Sequence, residues 1–467
     1  MILTPALAVC LLMSGDRRPA APLFSDADRA AAVAYWSMPS RLQVTTPPDV
    51  TDKGVWRVHL TPEGSLWLWK YQNAIGASKA PPTQDPVQAP VPVSTAIWKT
   101  WVDARIAYDR FTATNVANSL NASLKLPAQP VTAIPPDPGP IPTDLLAAVG
   151  DPPRFASVVT PVQATIAFDD GTSYAYIDNV PIRPAYAYYR FPQGTVSYGK
   201  KVKDLPQTDL QTLFNTAGFS PSEQRIAMAV SALEGGFDSI NTYDTGFVSV
   251  GFLQFTTGAE GHGSLLEVMA REKQEQPAQF RQDFQRLGID VTPDGYLDCV
   301  DPRTGAEVWG SDAVQLVIGD KRLTSAFEHA GATSLAFRVA QVEVAKAHYW
   351  PTDDPINVTI NGQACRCKVC DIIHSEAGIA TLFDRKVNRG TIEPVSQIVS
   401  QIIAAHRLAT VYDAARYEKA IIAALKYRAD YLKNRDLSQP DSNQNQQPVP
   451  PPTPIPDTTT DSDAGAP

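Results

Sequence analysis

Proline is gathered in clumps along this chain, and the clumps limit where a continuous core can form. The 467 residues include 41 prolines, about twice the usual share of ~5%. They concentrate at 80–93, at 127–142 and in the last thirty residues. A proline removes a backbone donor and breaks helix and sheet ladders, so each clump reads as a break between folded pieces. The chain divides accordingly into a leader segment (1–24), an N-terminal α/β region of unassigned role (25–126) and a Pro-rich linker (127–154). A β-rich segment (155–203), a mostly helical domain (204–436) and a disordered tail (437–467) follow. The tail is rich in Pro, Gln, Asp and Thr and has too little apolar content to bury a core.

Local signals fill in the pieces. Ser25–Ser40 reads as a short helix with Asp26 and Asp28 in its first turn. Lys53–Tyr71 alternates apolar and polar residues around Pro62-Glu63-Gly64 and predicts a β-hairpin. A helix is expected near Ser94–Leu120, carrying Trp98, Trp101, Ile106 and Phe111. Asp169-Asp170-Gly171 predicts a turn between strands. Tyr174, Tyr176, Tyr186, Tyr188 and Tyr189 around it are core tyrosines or sugar-stacking rings. From residue 204 the period turns helical, with long amphipathic stretches at Ser325–Tyr349, Asp371–Val387, Val395–Leu408 and Val411–Asn434.

Composition excludes some classes. Net charge is −9, with 43% hydrophobic and 19% charged residues, and no basic block of the nucleic-acid-binding kind occurs. No apolar run reaches the roughly 18–20 residues that span a bilayer. Ile2–Met13 has the apolar character of a secretory h-region, but Arg17 and Arg18 follow it instead of preceding it. The expected location is therefore secreted or in the cell envelope, with a cytoplasmic one left open. Five cysteines are present. Cys365, Cys367 and Cys370 crowd into six residues, and Cys299 could join them. A disulfide leads in an exported chain; a structural zinc site would need better-spaced pairs.

One helix carries the chemistry. Ser220, Pro221 and Glu223 form an N-cap, an N1 proline and a capping-box partner. Ile226, Val230 and Leu233 follow on one face, and Gly235-Gly236 ends the helix one residue after Glu234. A carboxyl group at a helix C-terminus faces the negative end of the macrodipole, and apolar neighbours add desolvation. Both effects raise its pKa, as required of an acid that protonates a glycosidic oxygen. The next segment, FDSINTYDTGFVSVGFLQFTTG, reads as a β-hairpin that could return Asp244 across a cleft. Asp244 could then activate water positioned by Ser249. For such an inverting pair the carboxyl groups stand about 6.5–9.5 Å apart. Asp244 in Tyr-Asp-Thr-Gly is also good turn sequence.

This stretch resembles the lysozyme superfamily. Gly251-Phe252-Leu253-Gln254 stands where lytic transglycosylases and goose-type lysozymes carry Gly-Leu-Met-Gln. The part from Asp244 is similar to the chitosanases of glycoside hydrolase family 46, whose Asp, Thr and second Gly match Asp244, Ser249 and Gly251. The loop between Glu and Asp is shorter here, and Thr245-Gly246-Phe247 replaces the chitosanase Gly-Arg. The resemblance implies an α+β, lysozyme-like domain, mostly helical with a small β-hairpin lobe. It implies catalytic Glu234, Asp244 and Ser249, and substrate contacts from Tyr243, Gly251, Gln254 and Thr256. The reaction needs no cofactor and no metal. The expected partner is an amino-sugar polysaccharide with β-1,4 links, either chitosan-like or peptidoglycan, while the oligomeric state is left open. Asp238, Asp244 and Glu260 together lean toward a cationic polymer. Lytic transglycosylases manage without a second carboxylate. A non-catalytic carbohydrate- or wall-binding protein, or the wall-cutting part of an envelope assembly, is the competing reading. His262 reads as a loop histidine, and Asn388-Arg389-Gly390 as a helix C-cap.

Overall fold

A computed structural model describes residues 22–46, 56–75, 93–131, 133–160, 162–177, 193–231, 235–244 and 246–441. The apolar stretch Ile2–Met13 with Cys10, the break at 80–92, Tyr186, Tyr188, Tyr189, Glu234 and the tail from residue 442 lie outside the described residues. The fold is α+β and about 51% helical, with 14 α-helices among the described residues and several small antiparallel sheets. No helix described is long and apolar enough to cross a membrane.

Two apolar cores organise it. The larger one runs from Trp36 through Ile166, Phe168 and Tyr176 to the helices of the second half. Ser25 caps the helix Asp26–Trp36 in a reciprocal box with Asp28. After it Leu42–Thr45 pairs with Gln163–Ala167, which pairs in turn with Ser173–Ile177. The intervening turn is held by Asp170, whose carboxylate accepts the Thr172 N–H at 2.9 Å. Strands from residues 22–46 and from 162–177 thus form one sheet on the main core. The smaller core gathers Leu60, Trp67, Leu68, Tyr71, Trp101, Val102, Ile106, Leu145, Val149 and Phe155.

The expected hairpin at Lys53–Tyr71 does not form. Among its described residues only Arg57–Leu60 is a strand, and its partner is the distant Ala156–Val159. Pro62–Ala74 is a helix. Thr61 supplies the cap, accepting the Gly64 N–H at 3.0 Å, so Pro62-Glu63 is a helix start instead of a turn. Trp67, Leu68 and Tyr71 are buried with helical spacing. The helix Val93–Ser123 appears where one was expected. The stretch read as a linker contains the helix Thr143–Val149, and its Leu145 and Val149 are buried in the smaller core.

In the second half, Ser325–Tyr349 is split into Lys321–Thr333 and Leu335–Tyr349, because Ser334 caps the later helix by accepting the Phe337 N–H at 3.2 Å. Val411–Asn434 holds one α-helix, Glu418–Leu425, between two 3₁₀ turns. Glu376–Arg389 ends on Gly390 in the left-handed conformation, the expected cap. Folded structure extends past residue 436: Leu437 is buried and the Ser438 N–H donates to Glu376 at 2.9 Å.

Candidate functional site

The helix Pro221–Ser231, which precedes Glu234 in the sequence, begins as its sequence dictates. The Ser220 N–H donates to Glu223 Oε2 at 2.7 Å and the Glu223 N–H to Ser220 Oγ at 3.3 Å. Lys346 adds an ion pair to Glu223 at 3.0 Å. Ile226, Ala227, Val230 and Ser231 face the core. On the outer side Arg225 Nε donates at 3.1 Å to both carboxylate oxygens of Glu376, fastening this helix to Glu376–Arg389. The described helix is Pro221–Ser231. Glu234 and its separation from Asp244 lie outside the described residues.

Beyond it, Gly235 and Gly236 are tied to the segment before the helix. Gly236 forms an antiparallel bridge with Lys201 and donates its N–H to the Tyr198 carbonyl at 3.0 Å. A Cβ on Gly236 would collide with the Lys200 carbonyl. The chain then enters a four-stranded antiparallel sheet in the order Val196–Ser197, Ile240–Asn241, Ser249–Val250, Phe255–Thr256. Ser249 is buried and sits opposite Asn241 on one side and Thr256 on the other.

Asp244 occupies the turn between the second and third strands. Its carboxylate accepts the Asn241 side-chain amide at 2.6 Å and the Gly246 N–H at 2.9 Å. Gly246 is the meeting point: a Cβ on it would collide with Ser249 Oγ and lie 3.3 Å from both Asp244 Oδ1 and Thr256 Cγ2. Asp244, Ser249 and Thr256 are therefore brought together.

The other expected contact residues face inward. Gln254 donates from Nε2 to Ser239 Oγ at 2.8 Å and to the Gly251 carbonyl at 3.0 Å. Gly251 has φ +84, and a Cβ there would strike the side chain of Gln341. Both residues close the turn after Ser249–Val250. Tyr243 packs against the smaller core. Of the acidic residues near the motif, Glu260 is exposed, whereas Asp238 turns inward and accepts the Lys200 N–H at 2.9 Å. Burial pushes the Asp238 carboxyl above its ordinary value, with Lys200 and Arg338 opposing. His262 is an exposed loop residue whose ring meets Tyr296 edge-on.

Two residues escaped the sequence reading. Gln341, fully buried, donates from Nε2 to the Phe237 carbonyl at 3.0 Å. Glu328, also buried, accepts the Ser197 hydroxyl at 2.6 Å and the Tyr176 hydroxyl. Burial pushes the Glu328 carboxyl up, and these two hydrogen bonds oppose the shift. Its neighbour His329 stacks on Phe168 and contacts Asp170 at 2.9 Å. Burial works against Asp170, but hydrogen bonds from Thr172 and His329 bring it down to about 2. Tyr176 is therefore a core tyrosine and Tyr174 is half-buried against Phe168. The available signal was a Glu-His pair inside an otherwise small and apolar helical run, LTSAFEHAGA.

Cys299, Cys365, Cys367 and Cys370 are free thiols, and Cys299 is buried away from solvent. Among the described residues, no group of three or more His, Cys, Asp or Glu side chains is arranged to hold a metal. A cavity of about 240 Å³ lies near Asp209, Leu213, Thr333 and Arg338, and none of the Asp244–Thr256 residues lines it. No family model, curated protein or solved structure matches this chain.

Proposed function

We propose that this chain is a lysozyme-like glycosidase that cleaves β-1,4-linked amino-sugar polymers, with Glu234 as the general acid. The supporting observation is the structure described on either side of that residue in the sequence. The reciprocally capped helix Pro221–Ser231 ends three residues before Glu234 in the sequence, and Gly235 and Gly236, which follow it, lead into an antiparallel sheet in which Asp244 lies beside Ser249. A carboxyl at a helix end next to a β-lobe, as the sequence places Glu234, is the arrangement this chemistry uses. The helix end disfavours the ionised form, and the β-lobe offers a wall for the sugar.

The bonding of Asp244 favours one route over another. Its carboxylate is engaged in holding the turn, accepting the Asn241 amide at 2.6 Å and the Gly246 N–H at 2.9 Å, and removing either bond would loosen that turn. This supports a mechanism in which the single acid Glu234 carries the cleavage and the sugar's own hydroxyl completes it. In the chitosanase-like alternative, Asp244 would activate a water held by Ser249.

The test is incubation of the full chain, and of Glu234→Gln, with purified peptidoglycan and with chitosan, followed by mass analysis of the products. The proposal requires cleavage by the native chain and loss of it in the variant. Fragments one water lighter than hydrolysis products identify the intramolecular route. Cleavage of neither polymer, or full activity in Glu234→Gln, overturns the enzymatic reading.

A further inference from the structure

The segment Tyr198–Lys201, which follows the strand Val196–Ser197, lies against the two glycines that follow Glu234. The Tyr198 carbonyl accepts the Gly236 N–H at 3.0 Å, and Lys201 pairs with Gly236. Along this edge Ser197 turns inward to Glu328, while Tyr198 is 66% exposed, among the most exposed large apolar side chains described. Lys200, Lys201 and Lys203 are exposed beside it. Asp238 faces the Lys200 backbone from below, and Asp204 is the exposed acid that ends the stretch. In a chain of net charge −9, three lysines beside one exposed ring form a local basic rim.

We propose that the Tyr198–Lys203 edge is the substrate-binding rim and that it takes a carboxylate-bearing amino-sugar polymer of the peptidoglycan class. The inference rests on the glycosidase reading for its location and adds the substrate to it. An exposed tyrosine offers a flat apolar face to the C–H face of a pyranose while its hydroxyl stays in water. The lysines attract carboxylates carried on the glycan and repel a polymer with an ammonium on each sugar. At exposed sites such forces are modest and screened by salt, with a Debye length of about 8 Å at physiological strength.

The experiment is sedimentation of the full chain with insoluble peptidoglycan and with chitosan gel over a range of salt, with turnover of both polymers measured separately. The variants are Tyr198→Ala, Tyr198→Phe and the double change Lys200→Gln with Lys201→Gln. These side chains are exposed, so unchanged melting of each variant is expected. The expected result is retention on peptidoglycan that weakens about tenfold in Tyr198→Ala and persists in Tyr198→Phe. Retention should also weaken with salt and in the double lysine variant, and chitosan should be held poorly. Native-like retention of Tyr198→Ala, chitosan held as tightly as peptidoglycan, or retention on neither polymer overturns it. Binding without cleavage would leave the rim in place and remove the catalytic reading. Cleavage unaffected by Tyr198→Ala would do the reverse.

Discussion

The amide of Gln341 sits between two turns of the candidate site, donating to the Phe237 carbonyl at 3.0 Å and accepting the Phe252 N–H at 3.4 Å. One side chain from the helix Leu335–Tyr349 thus joins the segment after Glu234 to the segment after Ser249. Its Oε1 also fills the space a side chain on Gly251 would need.

Truncating Gln341 to Ala leaves a buried carbonyl and a buried N–H without partners and opens a small cavity. The expected loss is about 3 kcal/mol of unfolding free energy. Gly251→Ala combines a positive φ with a collision and should cost about 1–3 kcal/mol. Urea denaturation followed by circular dichroism measures both. A Gln341→Ala protein within about 0.5 kcal/mol of native would show that the amide does not hold the two turns together.

Asp244 separates the two catalytic routes. If it serves the turn, Asp244→Asn keeps an acceptor for the Gly246 N–H, and glycan cleavage should stay within about tenfold of native. Glu234→Gln should lose at least about a thousandfold, since it removes the transferable proton. Asp244→Ala, which forfeits both hydrogen bonds, should cost about 1–2 kcal/mol of stability. A loss in Asp244→Asn as large as that in Glu234→Gln restores Asp244 as the water-activating base.

Stability should fall between pH 5 and pH 8. Asp298 is buried opposite Asp290 in the sheet Ile289–Val291, Leu297–Val300, Glu307–Trp309. Burial first, then the charges of Glu307 and Asp290, push its carboxyl up to about 8. Buried Glu272 is pushed up to about 10, again chiefly by burial. Above the unfolded value near 4 and below these folded values, the native chain holds protons that the unfolded chain has released. Rising pH then favours unfolding, by up to about 1.4 kcal/mol per pH unit for each group. The lowered carboxyls Asp169, Asp170 and Glu376 act in the opposite sense, but below this window. The melting temperature should therefore decline from pH 5 to pH 8, and Asp298→Asn should reduce the decline. A flat profile in the native protein would contradict the assignment.

What the sequence made legible was local. Ser25 with Asp28, Ser220 with Glu223, the Asp170 turn and the Gly390 cap each depend on a few neighbouring residues whose side chains satisfy nearby backbone groups. Pro62-Glu63-Gly64 was ambiguous because the same three residues suit a turn or the first turn of a helix, and the helical burial of Trp67 and Tyr71 decided it. The pairing of Leu42–Thr45 with Gln163–Ala167, and of Arg57–Leu60 with Ala156–Val159, leaves no local trace, since register is set by partners far along the chain. The convergence of Asp244, Ser249 and Thr256 could be anticipated from a short hairpin. The inward turn of Gln254 could not, because its partner Ser239 lies fifteen residues earlier, just before the strand Ile240–Asn241.

Glu328 is the other long-range tie, and it makes the sharpest test of how the β-lobe is held. Its carboxyl joins Tyr176 on one sheet to Ser197 on the first strand of the candidate-site sheet. In Glu328→Gln the two hydroxyls can rotate to meet one acceptor and one donor, so the cost should be about 1 kcal/mol. Glu328→Ala leaves the buried Tyr176 hydroxyl and the half-buried Ser197 hydroxyl without that partner and creates a cavity, and should cost about 3 kcal/mol. The loss should be visible locally as well. Val196–Ser197 is a two-residue edge strand paired with Ile240–Asn241, and once Ser197 is released its amides should exchange faster in Glu328→Ala than in Glu328→Gln. Hydrogen exchange read peptide by peptide checks this. Equal protection of residues 195–198 and 239–242 in the native and Ala proteins would mean that the strand is held by its backbone alone, and that Glu328 contributes nothing to placing the lobe.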